Sequence, residues 1–466
     1  MLNGPCAFAG LRIAAARLNS DHMPKFVSAP DGLPKGTFAI IFGVSLVTAM
    51  GNTGMISVLP AIGRSIGIPD PMVAAIFSLS ALLWAFSSPF WARASDRYGR
   101  KPLMLIGLSG FMASMVACGF VVSAGLLHLA APMVIFGAFL LARALFGMFG
   151  SASNPATQAY VAEHTAPEQR TQSMSALAGA FGLGTVIGPF VAPLFVLHGL
   201  KVDLAGPMFG FALIAAVMLF VVWKYLPESS QMPQAPVKAE PALGVSGSEA
   251  VIKERPMWRD PRVQPFLIYG FIVAVCQTAQ AQTLGFLIID KLQVTPLQAQ
   301  GFIAIAMMFG AVAGLLAQWG IIRMFEMTPR QLLRWGVAVA ALGNVIVALQ
   351  PTYAAVVAGY AISSLGFGLA RPGFTAGSSL AVDMHEQARV AGAIAAVNGV
   401  NVVLAPGFVW LYERVAPAPF VLCGVMMLIM LVYAFKNPQL RNAHPQPATR
   451  ADAAMATLEK SDEGGV

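Results

Sequence analysis

The chain of 466 residues is strongly hydrophobic: 57% of its residues are apolar, 11% are charged, and the mean hydropathy is +0.70. Soluble domains hold about 25% charged residues, so this composition excludes an ordinary soluble protein. The net charge of +8 does not indicate nucleic-acid binding, because the basic residues are spread over short gaps between apolar runs. Repeated apolar runs of about 20 residues instead indicate a polytopic membrane protein.

The apolar runs predict twelve membrane-spanning helices. Helices are required because each one satisfies its own backbone hydrogen bonds in lipid, and the gaps between the runs are short. The predicted spans are 37–62, 71–92, 102–124, 131–162, 173–198, 206–226, 265–289, 298–322, 330–350, 353–382, 389–412 and 418–435. We therefore predict an all-α membrane protein.

The polar segments divide the chain into five parts. Residues 1–36 and 436–466 are predicted to be cytosolic tails. The longest internal break, 227–264, is rich in Pro, Glu and Lys, and predicts a cytosolic linker between six-helix bundles over 37–226 and 265–435. Two six-helix bundles are typical of transporters, whose substrate sites lie between the halves.

The lysine and arginine residues predict the orientation. With the N-terminus inside, most of the 29 basic residues lie in the cytosol. The four expected on the outer side are Arg64, Lys201, Lys291 and Arg414. We expect a protein of a bacterial inner membrane with both termini in the cytoplasm. The sequence leaves open whether translation starts at Met1 or Met23.

The cysteine and histidine residues predict neither a disulfide framework nor a metal site. The four cysteines are scattered, and three of them lie inside apolar runs, where small apolar packing is the expected role. The histidines lie at loop edges without the spacing of metal ligands. No nucleotide-binding loop or catalytic triad is present, so we expect no cofactor, no metal and no enzymatic activity.

Four charged residues lie close together in the short run "SDRYGRKP", Ser95–Pro102, which is predicted to be the loop between spans 2 and 3. Gly99 permits a tight turn, and the basic residues hold the loop in the cytosol. That positive charge alone explains Lys101. The carboxylate of Asp96 adds nothing to such retention, but it can accept hydrogen bonds from a helix N-terminus or an arginine.

The segment "ARASDRYGRK" resembles the loop signature of the major facilitator superfamily, Gly-x-x-x-Asp-Arg-x-Gly-Arg-Lys, with Ala92 in place of the first glycine. The resemblance extends from the first span to the twelfth and implies a transporter that works by alternating access. In the family, the aspartate is thought to latch the two halves together on the cytosolic side. The resemblance therefore implies a gating motif formed by Asp96, Arg97, Gly99, Arg100 and Lys101.

Two further motifs resemble motifs of the 12-span drug/proton antiporter branch of this family. Arg143-x-x-x-Gly147 in span 4 is similar to the embedded arginine motif. "GTVIGP" in span 5 is similar to the antiporter helix motif, with Gly184, Gly188 and Pro189 at the matching positions. This resemblance implies multidrug-type efflux of amphipathic small molecules, coupled to a proton gradient.

Charges inside the membrane are costly and indicate function. Arg143 and Arg371 lie near the middle of spans 4 and 10, whereas no Asp or Glu lies in the middle of a span. An electropositive cavity favours anionic or neutral substrates, because arginine binds carboxylate and phosphate bidentately. Structural bonds to backbone carbonyls remain the alternative for both arginines. Proton coupling would need Asp96, Glu163 or another group near a span end.

Neutral polar residues supply further candidates for substrate contact. Span 7 contains Gln277, Thr278, Gln280 and Gln282, and span 1 contains Asn52. Hydrogen bonds between helices are the alternative role for these side chains.

Three classes of function follow from these observations. The first is a proton-coupled exporter of amphipathic molecules, and the second is an importer or facilitator of organic anions. The third, a receptor or membrane enzyme, is disfavoured by the nearly intact gating motif and by the lack of a catalytic cluster. The expected partners are the lipid bilayer, a small-molecule substrate and protons. We expect a monomer that binds no nucleic acid.

Overall fold

The computed structural model describes residues 35–165, 167–196, 199, 202–228, 257–349, 352–382 and 386–441. The predicted tails over 1–34 and 442–466, and the linker over 229–256, lie outside the described residues. Within the described residues, twelve helices are long and apolar enough to cross a membrane. They are α1 (Gly36–Ile66), α2 (Asp70–Tyr98), α3 (Arg100–Leu126), α4 (Pro132–Glu163), α5 (Ser173–Phe195), α6 (Asp203–Tyr225), α7 (Gln264–Leu292), α8 (Pro296–Met324), α9 (Pro329–Leu349), α10 (Tyr353–Leu380), α11 (Arg389–Arg414) and α12 (Ala418–Lys436).

The twelve predicted spans and the all-α fold class are confirmed. Several helices contain short irregular turns: residues 150–152 of α4 and 401–404 of α11 are 3₁₀, and residues 316–321 of α8 are π-helical. Below, the first half is α1–α6 and the second half is α7–α12. The terminal face is the side of the membrane where α1 begins and α12 ends.

The prediction that Ser95–Pro102 forms a loop is wrong. α2 continues to Tyr98 and α3 begins at Arg100, so Gly99 is the single residue between them. Its φ of 96° is favourable only for glycine, and its N–H donates to Ser95 O at 3.1 Å. A span predicted from hydropathy ends at the first charged residue. Charged residues with good helix propensity nevertheless continue the helix beyond the apolar region. The gating motif is therefore a joint between two helices.

Glycines bring α5 into direct backbone contact with α1. A Cβ atom added to Gly184 would lie 2.5 Å from Leu46 O, and one added to Gly188 would lie 2.2 Å from Met50 O. Both distances are too short for any side chain, and Pro189 lies within the same helix. The motif predicted from the sequence thus forms the α1–α5 contact, as small residues do in membrane helix pairs.

In the second half, glycines bring α9 and α10 into the same kind of backbone contact. A Cβ atom on Gly343 would lie 2.3 Å from Ser363 N, and one on Gly366 would lie 2.3 Å from Ala340 N. Each half therefore contains a glycine-lined helix pair that packs backbone against backbone. Lipid gives no hydrophobic force between helices, so such close packing supplies the attraction that holds each half together.

The two halves touch across the centre of the molecule. Near the face opposite the termini, a Cβ atom added to Gly285 of α7 would lie 2.5 Å from Cγ of Pro60 in α1. Ser78 of α2 donates a hydrogen bond to Val402 O of α11 at 2.7 Å. Between the halves, a cavity remains at mid-depth, and it is described below.

A matched pair of glycine variants tests the α1–α5 contact. Gly188→Ala places a methyl group against the α1 backbone, and overpacking of this kind costs about 1–3 kcal/mol. We expect its thermal unfolding midpoint in detergent to fall by several degrees. Gly137→Ala in α4 is the control, because an added Cβ meets nothing within 4 Å there. Equal midpoints for the two variants would contradict the assigned packing.

Candidate functional site: the central cavity

A cavity of about 450 Å³ lies between the halves. It is lined by α1, α2, α4 and α5 of the first half and by α7, α10 and α11 of the second. Its volume falls in the range of small-molecule sites, about 300–1,000 Å³. Six residues that the sequence singled out contribute to its wall: Asn52, Arg143, Gln277, Thr278, Gln282 and Arg371.

Arg143 is the most deeply placed charge in the cavity wall. Its side chain is 1% exposed, and its Nη2 donates to Oδ1 of Asn52 at 2.8 Å. Its guanidinium carbon lies 4.9 Å from the ring centre of Phe77 and 4.6 Å from that of Phe146. The Nε and Nη1 atoms have no hydrogen-bond partner among the described residues. Two buried donor atoms of a charged group thus have no acceptor among the described residues.

Arg371 lines the same cavity from the second half. It is exposed, and its Nη2 lies 3.4 Å from Oδ1 of Asn398. The hydroxyl of Thr375, one turn further along α10, donates to Arg371 O at 3.1 Å. Arg371 is therefore the more accessible of the two arginines, whereas Arg143 is buried in the cavity wall.

The polar residues of α7 divide between two environments. Thr278 donates to Oδ1 of Asn401 at 2.6 Å, and Gln277 and Gln282 line the cavity. Gln280 is 1% exposed and accepts a hydrogen bond from Ser363 of α10 at 2.8 Å. At 100° per residue, Gln280 lies on the side of α7 away from Thr278, so it joins helices within the second half and does not line the cavity.

The charge of the cavity wall is entirely positive. None of the described lining residues is an aspartate or a glutamate, and the two charged ones are Arg143 and Arg371. The rest of the wall combines hydroxyl and amide groups with aromatic rings of α2, α4 and α5. Such a site offers hydrogen-bond donors for an anion and an apolar surface for the rest of the molecule.

The gating motif lies at the end of α2 and the start of α3, at the terminal face. Nη1 of Arg100 lies 2.6 Å from Oδ1 of Asp96, and Nε of Arg100 donates to Oε1 of Glu163 at 2.8 Å. The side chain of Asp96 is 72% exposed. These three residues come from α2, α3 and α4, so the motif joins helices of the first half in this structure. Its role as a latch between the halves stays a prediction.

A cluster of charged residues joins the halves at the face opposite the termini, and we call it the opposite-face cluster. Nη2 of Arg64 in α1 lies 2.7 Å from Oδ2 of Asp70 in α2, and Arg64 also forms an ion pair with Asp290 of α7. The Tyr412 hydroxyl donates to Asp290 at 2.6 Å, and the Asp70 N–H donates to Glu413 at 3.2 Å. The cluster therefore ties the first half to the second on that side of the membrane.

Sequence reasoning missed the opposite-face cluster as a unit. Arg64 was expected outside as a topology residue, and the carboxylates were predicted only not to lie in the middle of a span. Arg64 and Asp290 are 226 positions apart, so only the tertiary structure brings them together. One signal was present: an arginine on the outer side departs from the charge rule and needs a partner.

The family model described as Major Facilitator Superfamily matches residues 41–406. The chain belongs to this superfamily. It is 25% identical over 395 residues to mouse major facilitator superfamily domain-containing protein 10, covering 78% of each chain. It is 26% identical to multidrug resistance protein 2 of Bacillus subtilis over 193 residues, 41% of this chain and 44% of that protein.

Solved structures share the fold. The human organic anion transporter MFSD10 (TETRAN) aligns with a TM-score of 0.58 at 18% identity, over 86% of this chain and 100% of that one. A bacterial homologue of the human lysosomal transporter Spinster, in an inward-facing and unoccupied conformation, aligns with a TM-score of 0.67 at 12% identity. That alignment covers 88% of this chain and 98% of the other.

The opposite-face cluster can be tested by the sidedness of labelling. Ile56 lines the cavity, so Ile56→Cys reports which face reaches it. We expect Asp290→Asn to increase labelling by an impermeant maleimide from the face opposite the termini, about fivefold. The reason is that a partly exposed ion pair contributes up to about 1 kcal/mol to the closed arrangement.

Asp203→Asn is the matched control, since it removes the same charge at the start of α6 without altering the cluster. The chain with its native residue at position 56 gives the labelling background. If Asp290→Asn and Asp203→Asn labelled alike from the opposite face, the cluster would not hold that face closed.

Proposed function

We propose that this protein moves amphipathic organic anions across the membrane by alternating access, and that it binds them in the central cavity. The observation that carries this proposal is the guanidinium of Arg143. It is buried and holds two free N–H donors in a cavity wall that, within the described chain, contains no carboxylate. An anion is the ligand that such a group lacks.

The physical reason is the cost of burying a charge. An ionised group in a low-dielectric interior is stable only when it is paired and hydrogen-bonded. Asn52 and two aromatic rings satisfy one part of the Arg143 guanidinium. A bound carboxylate, sulfonate or phosphate would accept the remaining N–H groups in the bidentate geometry that arginine favours.

The second arginine lies on the other half of the protein. Arg143 belongs to α4 and Arg371 to α10, so an anion held between them would contact both six-helix bundles. Such a ligand would stabilise arrangements in which the two halves lie close together. It would stabilise arrangements in which the halves are apart less strongly. This is the property that a transported substrate needs in an alternating-access cycle.

The apolar part of the substrate follows from the rest of the wall. Phe77, Trp84, Phe146 and Phe181 line the cavity beside the polar groups. Aromatic rings stack on flat apolar groups without demanding one exact shape. We infer a substrate class of aromatic or otherwise amphipathic molecules with one acidic group. The similarity to an organic anion transporter over most of the chain supports this class.

A second candidate function is multidrug-type efflux coupled to a proton gradient. It is supported by the similarity to the Bacillus multidrug resistance protein and by the α1–α5 contact through Gly184 and Gly188. Proton coupling would then use carboxylates outside the cavity. Asp70 and Asp290 are better placed for it than Asp96 and Glu163, because Arg64 links them across the two halves, whereas Asp96 and Glu163 both lie within the first half.

The charge rule places the terminal face in the cytoplasm. Because the opposite-face cluster ties the halves together on the other side, we infer that the cavity opens toward the cytoplasm. A substrate could then enter the cavity from inside the cell, as export requires.

Transport by purified protein in liposomes tests the anion proposal. We expect saturable uptake of aromatic carboxylates or sulfonates, and little uptake of neutral or cationic molecules of the same size. Arg143→Gln is expected to raise the KM for anions about 10- to 100-fold, because hydrogen bonds to a charged group contribute about 1.5–3 kcal/mol. Arg143→Lys keeps the positive charge but cannot make the bidentate contact. Its KM is therefore expected to lie between those of the parent and Arg143→Gln.

Arg93→Gln is the control, because Arg93 is an exposed arginine of α2 that bonds to Pro89 O and does not line the cavity. An imposed pH gradient separates the two candidate functions. Proton release evoked by cationic drugs, together with no saturable uptake of anions by the parent, would refute anion transport and favour the multidrug candidate. Equal KM values for anions in Arg143→Gln and the parent would refute anion binding at Arg143.

A further inference from the structure

A second pocket, which we call the basic pocket, lies on the outer surface of the second half. It has a volume of about 530 Å³ and lies between the start of α9 and the end of α12, at the terminal face. Its wall includes Thr328, Arg330, Gln331, Arg334, Trp335 and Phe435. It shares no residue with the central cavity.

Positive charge is concentrated in the basic pocket. Arg330 and Arg334 lie one helical turn apart on α9, and Arg441, just beyond α12, is close enough to repel Arg334. Like charges one turn apart destabilise a helix. Neither arginine of the wall forms an ion pair within the described chain, and the wall holds no carboxylate.

The guanidinium of Arg334 is held in a fixed place but is only partly satisfied. Its carbon lies 4.1 Å from the ring centre of Phe435, a cation–π contact across the pocket. Its Nε atom is buried and has no hydrogen-bond partner in the part of the chain that the structure describes. A donor of this kind needs an acceptor, and the protein around it offers none.

The start of α9 adds a further positive contribution. Thr328 precedes the helix, and its N–H donates to Oε1 of Gln331 at 2.9 Å, while the Gln331 N–H donates to Thr328 Oγ1 at 3.4 Å. This reciprocal cap fixes the first turn within the pocket wall. The positive end of the helix dipole therefore lies beside the two arginines, an arrangement that suits a phosphate group.

The surroundings of the basic pocket are those of a lipid-facing surface. Trp335 is 61% exposed and Phe435 is 52% exposed. Exposed apolar residues continue along both helices toward the membrane centre, among them Leu342 of α9 and Leu428 of α12. A tryptophan at the edge of an apolar surface marks the level of lipid headgroups. The arginines thus lie at headgroup depth, with an apolar track leading into the bilayer from them.

We propose that the basic pocket binds an anionic phospholipid, with the headgroup phosphate on Arg330 and Arg334 and an acyl chain along α9 and α12. Basic pockets between helices at the cytoplasmic side of a membrane recognise such headgroups. Retention of positive charge at the terminal face explains why arginines occur there. It does not explain why two of them converge in one pocket without a carboxylate.

Thermal unfolding of the full-length protein in neutral detergent tests this site. Phosphatidylglycerol is expected to raise the unfolding midpoint, whereas phosphatidylcholine and inorganic phosphate at the same concentration are not. The double variant Arg330→Gln/Arg334→Gln is expected to bind phosphatidylglycerol about 30-fold more weakly, since each basic residue near an anionic surface contributes about one kcal/mol. Arg323→Gln, at the end of α8, is the control and is expected to keep the parental shift.

Quenching of Trp335 fluorescence locates the bound lipid directly. Phosphatidylglycerol with brominated chains is expected to quench more of the tryptophan emission than brominated phosphatidylcholine, and Trp335→Phe is expected to remove the excess. Equal effects of the two lipids, an undiminished shift in the double variant, or an equal shift with inorganic phosphate alone would each overturn the assignment. This readout does not depend on transport, so it is independent of the proposed function.

Discussion

The central constraint on this structure is the burial of one guanidinium at the middle of the membrane. Arg143 is tolerated there because α1 presents Asn52 to it and because two aromatic rings lie against its faces. The position of α1 is in turn fixed by the backbone contact of Met50 with Gly188 of α5. The glycine motif and the arginine motif are therefore parts of one arrangement.

The cavity and the opposite-face cluster differ in the charges that they contain. The cavity wall contains arginines without described carboxylates, whereas the opposite-face cluster contains one arginine with three carboxylates, those of Asp70, Asp290 and Glu413. An anion in the cavity would thus meet no described carboxylate. The cluster that joins the halves at the opposite face lies outside the cavity wall. Binding and closure can therefore respond to different chemical conditions.

Most of the fold could be predicted from the sequence because a bilayer imposes a single strong rule on apolar length. Apolar length alone predicted all twelve helices. It failed only at helix ends such as that of α2, where a charged segment remains helical up to Gly99. The two arginines of the cavity wall could be found for the same reason, since a charge in an apolar run is conspicuous. Residue type and depth were enough.

The contacts of the site residues could not be predicted in this way. Gln280 and Gln282 are equally polar and two positions apart, yet one bonds to Ser363 inside the second half and the other lines the cavity. The difference lies in how α7 is rotated against α10, which depends on packing along the whole helix. The opposite-face cluster depends likewise on the approach of two halves that are distant in sequence.

The contact between Pro60 and Gly285 has a mechanical consequence. A proline ring on a bare stretch of backbone makes no hydrogen bond and has no interlocking side chain, so the two halves can turn about this point without breaking a directional interaction. The Pro60–Gly285 contact therefore adds no directional resistance to rotation of one half against the other. Resistance to such rotation resides in the charged residues nearby, where solvent composition can adjust it.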